Sequence, residues 1–377
     1  MDVEYPPCGP PGGFGRSDPH VTEQTDIRTD SPAQRASGNY AMPAEWAPHQ
    51  CTWLSWPHNR DTWPGKFAPV EPVMTRFVAA LAKSELVRIN VLDERHERHV
   101  QSLLEGSVKS ERIRFHRIPT NDAWCRDHGA IFVNNEDSSE PLVALDFRFN
   151  SWGGKYPPFD LDDAAARQMA SHLDVPYRSL DFVLEGGSID VNGAGALLTT
   201  EQCLLHPNRN PGMSREAIET LLMTELGVDT VHWLGDGIVG DDTDGHIDDL
   251  TRFVGEDQVV TVVESNRTDD NYAALAENRE RLQALRLADG RPLRIVELDM
   301  PAPVEFRGDR LPASYANFYI ANTVVVVPTF DDPADAPNLR KLEAVFPGRE
   351  VIGIDCRDLV LGLGTFHCLS QQVPRLG

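Results

Sequence analysis

Asp244-Gly245-His246-Ile247-Asp248 runs into an apolar stretch from Leu250 to Val254, reverses through a polar turn and returns along Val259 to Val263. This pattern of a Gly- or acid-bearing turn followed by two short apolar runs decides the fold, because it recurs. Asp127-His128-Gly129 leads into Ala130 to Asn134. Glu185-Gly186-Gly187 leads into Ser188 to Asn192, then Gly195 to Leu205. Ser314-Tyr315-Ala316-Asn317 leads into Phe318 to Asn322, then Val324 to Pro328, and Gly364 to Cys368 opens a fifth module. The modules stand roughly sixty residues apart, a period that marks a repeat architecture. Strands are expected at 51–56, 86–92, 113–118, 142–149, 195–205, 250–254, 258–263, 293–298, 317–327 and 350–355. Helices are expected at 93–104, 161–173, 214–226, 271–285 and 335–345. Val70, Val73, Met74, Phe77, Val78 and Leu81 also fall on one face of a helix. Strands alternating with helices make an α/β fold. Five modules predict five blades around one axis, an α/β propeller with pseudo-fivefold repeats. That arrangement would bring Asp127, Glu185, His246, Asp248 and Cys368 together at its centre.

Composition narrows what such a centre could serve. The chain has 377 residues and a net charge of −23, which argues against nucleic acid or an anionic membrane as partner. An acidic protein suits a small cationic substrate. Its six cysteines show neither CxxC spacing nor close pairing, so neither a disulfide scaffold nor a structural zinc site is expected. The run Asp241-Asp242-Thr243-Asp244-Gly245 invites a calcium reading. With Gly245 as the loop glycine, Gly240 and Thr251 would occupy the positions that need Asp and Glu. Neither spacing leaves a metal site to be expected. Residues 1–39 are rich in Pro, Gly and small polar residues, which predicts a disordered tail ahead of one catalytic domain at 40–377. No apolar run is long enough for a signal peptide or a membrane span, which points to a reduced, cytoplasmic protein. A homo-oligomer is compatible with these features.

A Cys, a His and several carboxylates around one axis specify a narrow chemistry. A thiolate is a nucleophile, and a neighbouring imidazolium lowers its pKa. Paired carboxylates would oppose an oxyanion, but they match the planar fork of a guanidinium. Sulfur attacking the guanidinium carbon gives a tetrahedral adduct. His246 could then protonate departing ammonia and take a proton from water.

At these residues the sequence resembles the agmatine deiminase family of the guanidine-modifying (pentein) superfamily. The resemblance runs through Met42-Pro43-Ala44-Glu45-Trp46, Asn121 to Asp127, Phe149 to Lys155, Leu184 to Gly187, Asn208-Arg209-Asn210-Pro211, Asp244 to Asp248, Ala313 to Tyr319 and His367-Cys368. It implies a five-bladed propeller without cofactor, with Cys368 as nucleophile and His246 as general acid and base. It further implies Asp127 and Asp248 on the guanidinium nitrogens, Glu185 orienting His246, and Trp124 walling the pocket. Leu363 and Thr365 replace a Gly and the Asn of the family's closing loop. Ala130 and Asp244 also depart from its pattern. The Trp56 to Lys66 and Trp152 to Asp160 segments look more like a bacterial peptidyl-arginine deiminase-like branch.

These departures bear on the substrate beyond its guanidinium. Free arginine would call for a cation near the pocket, with Arg209 and Lys155 as candidates. A cationic tail would call for carboxylates and Trp faces, for which Asp122, Asp242, Asp244, Asp249, Trp63, Trp124 and Trp152 are candidates. The sequence therefore leads to hydrolysis of agmatine. Deimination of arginine or peptidyl-arginine, amidino transfer to an amine, and guanidine binding without turnover stand as alternatives. His367, adjacent to Cys368, is expected on the opposite strand face in a structural role, and Cys125 is expected to be packing.

Overall fold

Each expected module folds into a small sheet built in the same order. The computed structural model describes residues 40–135 and 137–377, which belong to one compact unit spanning 35–377. The disorder expected for 1–39 lies outside the described residues. Ile131–Asn134 pairs antiparallel with Leu142–Arg148, which pairs in parallel with Tyr177–Val183. The same antiparallel-then-parallel order joins Asp190–Val191, Ala196–Thr200 and Thr230–Leu234. It recurs in Thr251–Gly255, Gln258–Val263 and Arg294–Asp299, and again in Tyr319–Ile320, Val324–Thr329 and Glu350–Asp355. A fifth sheet is made from both ends of the described chain. Ser370–Pro374 runs antiparallel to His49–Ser55, which is parallel to Leu86–Val91 and through it to Ile113–Arg117. A parallel pair cannot be closed by a tight turn, so each needs a crossover. Helices supply these crossovers at Val70–Leu81, Glu94–Leu104, Ala165–Leu173, Arg215–Leu226, Tyr272–Ala284 and Asp335–Val345.

The helical periodicity holds where it was strongest. Val70, Val73, Met74, Phe77, Val78 and Leu81 are all buried on one face. Local side chains set the ends of other helices. The Asp93 carboxylate accepts from His96 N at 2.8 Å and so satisfies a free N–H of the first turn. Three expected elements differ. The helix at 161–173 divides into Asp160–Asp163 and Ala165–Leu173. The strand at 195–205 stops at Thr200, whose hydroxyl accepts from Cys203 N and starts the short helix Glu201–Leu204. The strand at 317–327 is two, Tyr319–Ile320 and Val324–Thr329, with a reversal between them. Tyr177–Val183 and Thr230–Leu234 were not foreseen. Both lie at the outer edge of their sheets and are mostly half-exposed, so polar residues interrupt their apolar pattern. Among the described residues, no helix is long and apolar enough to cross a membrane.

The joining of the chain ends rests on apolar packing as well as on the ladder. Val373 faces Cys51 in register, is fully buried, and packs in the cluster that holds Trp53, Phe132 and Met169. Val373→Asp would place an unpaired charge there, at an expected cost of about 3 kcal/mol or more. The urea midpoint should drop accordingly; an unchanged midpoint would show that this strand contributes little to stability.

Candidate active site

The site residues sit on the turns just before the first strand of each sheet. Asp127 lies in the one-turn helix Cys125–His128, ahead of Ile131–Asn134. Glu185 precedes the tight turn Gly186–Ser188, and His246 precedes Ile247–Asp249, which carries Asp248. Asn317 and Cys368 stand two residues before Tyr319–Ile320 and Ser370–Pro374. A packed sheet anchors the start of its strand, so a short turn attached there has little freedom to re-aim its side chain.

The structure brings all five expected catalytic residues into one buried cluster. Asp127 Oδ1 accepts from Gly187 N at 3.0 Å, and Oδ2 accepts from Trp152 Nε1 at 3.1 Å. His246 Nδ1 lies 3.8 Å from Asp127 Oδ1 and 4.0 Å from Asp248 Oδ1. The Cys368 thiol is 3.6 Å from Asp248 Oδ2, and Asn317 Nδ2 donates to the sulfur at 3.0 Å. Thr365 N and Oγ1 donate to Asn317 Oδ1 at 3.2 and 2.8 Å, so the amide cannot turn its oxygen toward the sulfur without breaking both bonds. Both His246 ring nitrogens, Glu185 Oε2 and Asp248 Oδ1 are buried without a hydrogen-bond partner. Buried polar atoms in that condition are costly, and they cluster where a polar ligand is to be met.

The electrostatics describe a cluster short of positive charge. Burial, then the neighbouring Asp248 and Glu185, push the Asp127 carboxyl up to about 6 against the pull of His246. Burial raises the Cys368 thiol well above its usual range, and Asp248, Asp249 and Asp127 add to it. Burial alone would lower His246, but Asp127, the Cys203 thiol and Asp248 more than offset it and hold the imidazole charged. A cation entering this cluster would relieve the carboxylates and the thiol together.

The cluster opens into a pocket of about 280 Å³ whose wall includes Trp124, Trp152, Tyr156, Leu363 and Cys368. Asp61, Asp122, Asp127 and Asp242 line it, and among the described residues no Lys or Arg does. Gly362 and Gly364 are needed for contact rather than for unusual backbone angles. A Cβ on either would come within 2.7 Å of Trp63 or Trp124, whereas the positive φ of the loop, 71°, belongs to Leu363.

A family model described as Porphyromonas-type peptidyl-arginine deiminase matches residues 41–374. The chain belongs to that family. An agmatine deiminase of Ectopseudomonas mendocina (strain ymp) is 38% identical over 366 residues, covering 90% of this chain and 96% of that protein. A solved structure of the Enterococcus faecalis agmatine deiminase superposes with TM-score 0.84 at 32% identity, covering 91% of this chain and all of that one. A C. jejuni agmatine deiminase with substrate bound, a cysteine-to-serine variant, matches with TM-score 0.80 at 31% identity, covering 88% of this chain and 95% of that one.

In this member of the peptidyl-arginine deiminase family, two expectations about side chains change. Arg209 was expected to bind substrate, but it is buried outside the pocket lining and its donors are spent. Its Nε donates to Glu185 at 2.6 Å, Nη1 to Asp244 and Asn208, each at 2.7 Å, and Nη2 to the Thr243 carbonyl at 2.7 Å. Arg209 therefore fixes Glu185 beside His246. His367 was expected to turn away from the site, yet its Nδ1 lies 2.6 Å from Asp248 Oδ2. Alternation by two holds only inside a strand, and here the strand begins at Ser370. Glu45 stood only within a family motif, and Asn317 only in its module turn and a family motif, neither with a role at the site. A Glu between Ala44 and Trp46, in a segment about to enter a strand, is the signal that was available. Cys125 is packing, as expected, with burial pushing its thiol up to about 12.

Gly187 allows the centre to be this tight. A Cβ there would come 2.5 Å from His246 Nδ1, 2.9 Å from Asp127 Oδ1 and 3.0 Å from Asp248 Oδ2. Gly187→Ala has no backbone penalty to meet, so it should fold and lose about a hundredfold or more in turnover through displaced side chains. Turnover near that of the parent would mean that the cluster tolerates rearrangement.

Proposed function

We propose that the chain hydrolyses agmatine to N-carbamoylputrescine and ammonia, with the catalytic unit at 40–377. The observation that carries this reading is the pocket lined by four aspartates and no basic residue. A free α-carboxylate would meet only like charge there, whereas a second cation is welcomed. The substrate-bound relative and the agmatine deiminase relatives support the same assignment. A peptide-borne arginine, suggested by the family's description, has no free carboxylate and passes the same charge test. The shared strand order of the five sheets supports five blades of one propeller around the site. The five described cysteines are buried and unpaired, which supports a reducing, cytoplasmic setting.

Asp127 and Asp248 hold the guanidinium nitrogens, and Trp124 and Trp152 wall the approach. The resting thiol is protonated. The entering guanidinium supplies the missing positive charge, so the thiol loses its proton to solvent as substrate binds. The thiolate, with the Asn317 amide on it, attacks the guanidinium carbon and forms a C–S bond. His246 gives its proton to the leaving nitrogen of that tetrahedral adduct, the C–N bond breaks, and ammonia departs, leaving a thiouronium intermediate. Neutral His246 then takes a proton from water as the oxygen adds to that carbon. Collapse breaks the C–S bond as the adduct's hydroxyl proton passes to the departing sulfur, releasing the ureido product and restoring the resting thiol. Glu185, held by Arg209, faces His246 and favours its charged form.

Ammonia release should favour agmatine over free arginine by about a hundredfold or more in kcat/KM, from opposed tail charge. Cys368→Ser should abolish it while Cys125→Ser leaves most of it. An arginine preference, or an amidino group delivered to an added amine instead of water, would refute the assignment. A peptidyl-arginine preference would leave the chemistry and change the substrate.

Acid sensitivity follows from Asp127. Its carboxyl in the free protein is pushed up to about 6, so falling pH protonates it and removes its hold on the cation. kcat/KM for agmatine should fall by up to about tenfold per unit below pH 6, and Asp127→Asn should lose that limb. A flat profile from about pH 5 to 8 would exclude Asp127 from recognition.

A further inference from the structure

The steps above leave the second buried imidazole of the centre without a task. His367 Nδ1 lies 2.6 Å from Asp248 Oδ2, and its Nε2 lies 2.8 Å from Glu45 Oε2. A neutral imidazole offers one N–H and one lone pair, so one of its nitrogens would face a carboxylate oxygen with nothing to donate. An imidazolium satisfies both contacts.

The charges behind the ring support the same state. Glu45 Oε2 also accepts from Arg252 Nη2 at 2.7 Å and lies 3.4 Å from Arg126 Nη2, while Arg252 Nε pairs with Asp190. Glu45, Asp190 and Asp248 thus meet Arg126, Arg252 and His367, with every member buried. Within this set the charges balance only when His367 is charged; His246, 4.0 Å from Asp248 Oδ1, also faces Asp127 at 3.8 Å and does not serve Asp248 alone. The ring has little freedom to leave. Arg126 Nε donates to the His367 carbonyl at 3.3 Å, and Arg126 N donates to the Cys368 carbonyl at 3.0 Å.

His367 occupies only one oxygen of Asp248. Oδ1 has no partner and faces His246 Nδ1, on the side where the guanidinium is to bind. The charged groups acting on Asp248 are His367, His246 and Arg252, with Asp127, Asp249 and the Cys368 thiol as its negative or neutral neighbours. Those facing His367 are Glu45, Asp248 and Arg126. Removing the His367 charge leaves Asp248 beside Asp249 with less to keep it ionised.

We propose that His367 is a positioning residue, an imidazolium clamped between Glu45 and Asp248 that keeps Asp248 ionised and its Oδ1 turned to the substrate cation. The proposal rests on the agmatine reading only for the identity of that cation. With both nitrogens engaged, the ring transfers no proton in the reaction, and its effect falls on binding.

Nitrogen-detected NMR of the wild-type histidines at about pH 7.5 tests the charge directly, and that test needs no substrate. Both ring nitrogens of His367 should be protonated; a neutral tautomer would overturn the proposal. His367→Gln should raise KM for agmatine about tenfold or more and shift the acid limb of kcat/KM upward, with kcat at high pH much less affected. In an Asp248→Asn background the same change should cost little more, because the partner it acts through is already altered. Equal additive losses in both backgrounds, or a loss confined to kcat, would overturn the proposal in favour of a packing role. If wild type releases no ammonia from agmatine, the functional reading fails while the NMR result still decides the imidazolium.

Discussion

The antiparallel pairing of Ser370–Pro374 with His49–Ser55 delivers three parts of the centre at once. It seats Cys368 at the mouth of a sheet whose other strands come from the beginning of the described chain. It sets His367 against Asp248 and brings Glu45, just ahead of His49–Ser55, onto the far side of the same imidazole. It also lets Arg126 donate from its backbone to the Cys368 carbonyl, tying Cys368 to the turn that bears Asp127. Any looseness in this pairing would therefore reach Cys368, Asp127, Asp248 and the charge cluster behind them together.

The centre stores electrostatic tension that the substrate is suited to release. Asp127, Asp248, Asp249 and Glu185 are buried together, and burial with mutual repulsion raises Asp127 and Asp249 while holding the Cys368 thiol protonated. The protein offsets part of this with fixed cations that cannot take part in chemistry. Arg209 is spent on Glu185 and Asp244, and Arg252 on Glu45 and Asp190. What remains uncompensated lies at Asp127, Asp248 and the sulfur, where an entering cation would meet opposite charge. Such a site discriminates by charge before it discriminates by shape, since a neutral ligand of the same outline leaves the tension in place.

Aromatic contacts give the wall its rigidity. Trp63 packs against Trp124 with ring centroids 5.7 Å apart and planes tilted by 35°, and Phe149 meets Trp152 edge-on at 5.2 Å. Trp152 is also tied to Asp127 through its indole N–H, so the pocket wall and the Asp127 carboxylate are one unit. The loop from Gly362 to Gly364 lies flat on Trp63 and Trp124 because its glycines have no Cβ, and Leu363 takes the left-handed conformation between them.

The sequence by itself determined the modules, their α/β character and the five residues that converge. Recurrent turns before apolar runs and helical periodicity are local patterns, and the chemistry of Cys, His and paired carboxylates is a property of residue type. It could not assign Arg209 or His367, because their roles depend on which partners the folded chain brings within 3 Å. Arg209 looked available to a substrate until Glu185 and Asp244 arrived from other turns to consume its donors. His367 looked turned away until the strand proved to begin two residues after Cys368, which freed its ring to reach Asp248. The outer strands Tyr177–Val183 and Thr230–Leu234 were hidden because a half-exposed edge needs no regular apolar alternation. Only the tertiary structure joined the first strand to the last, since a ladder between segments so far apart leaves no local mark on either.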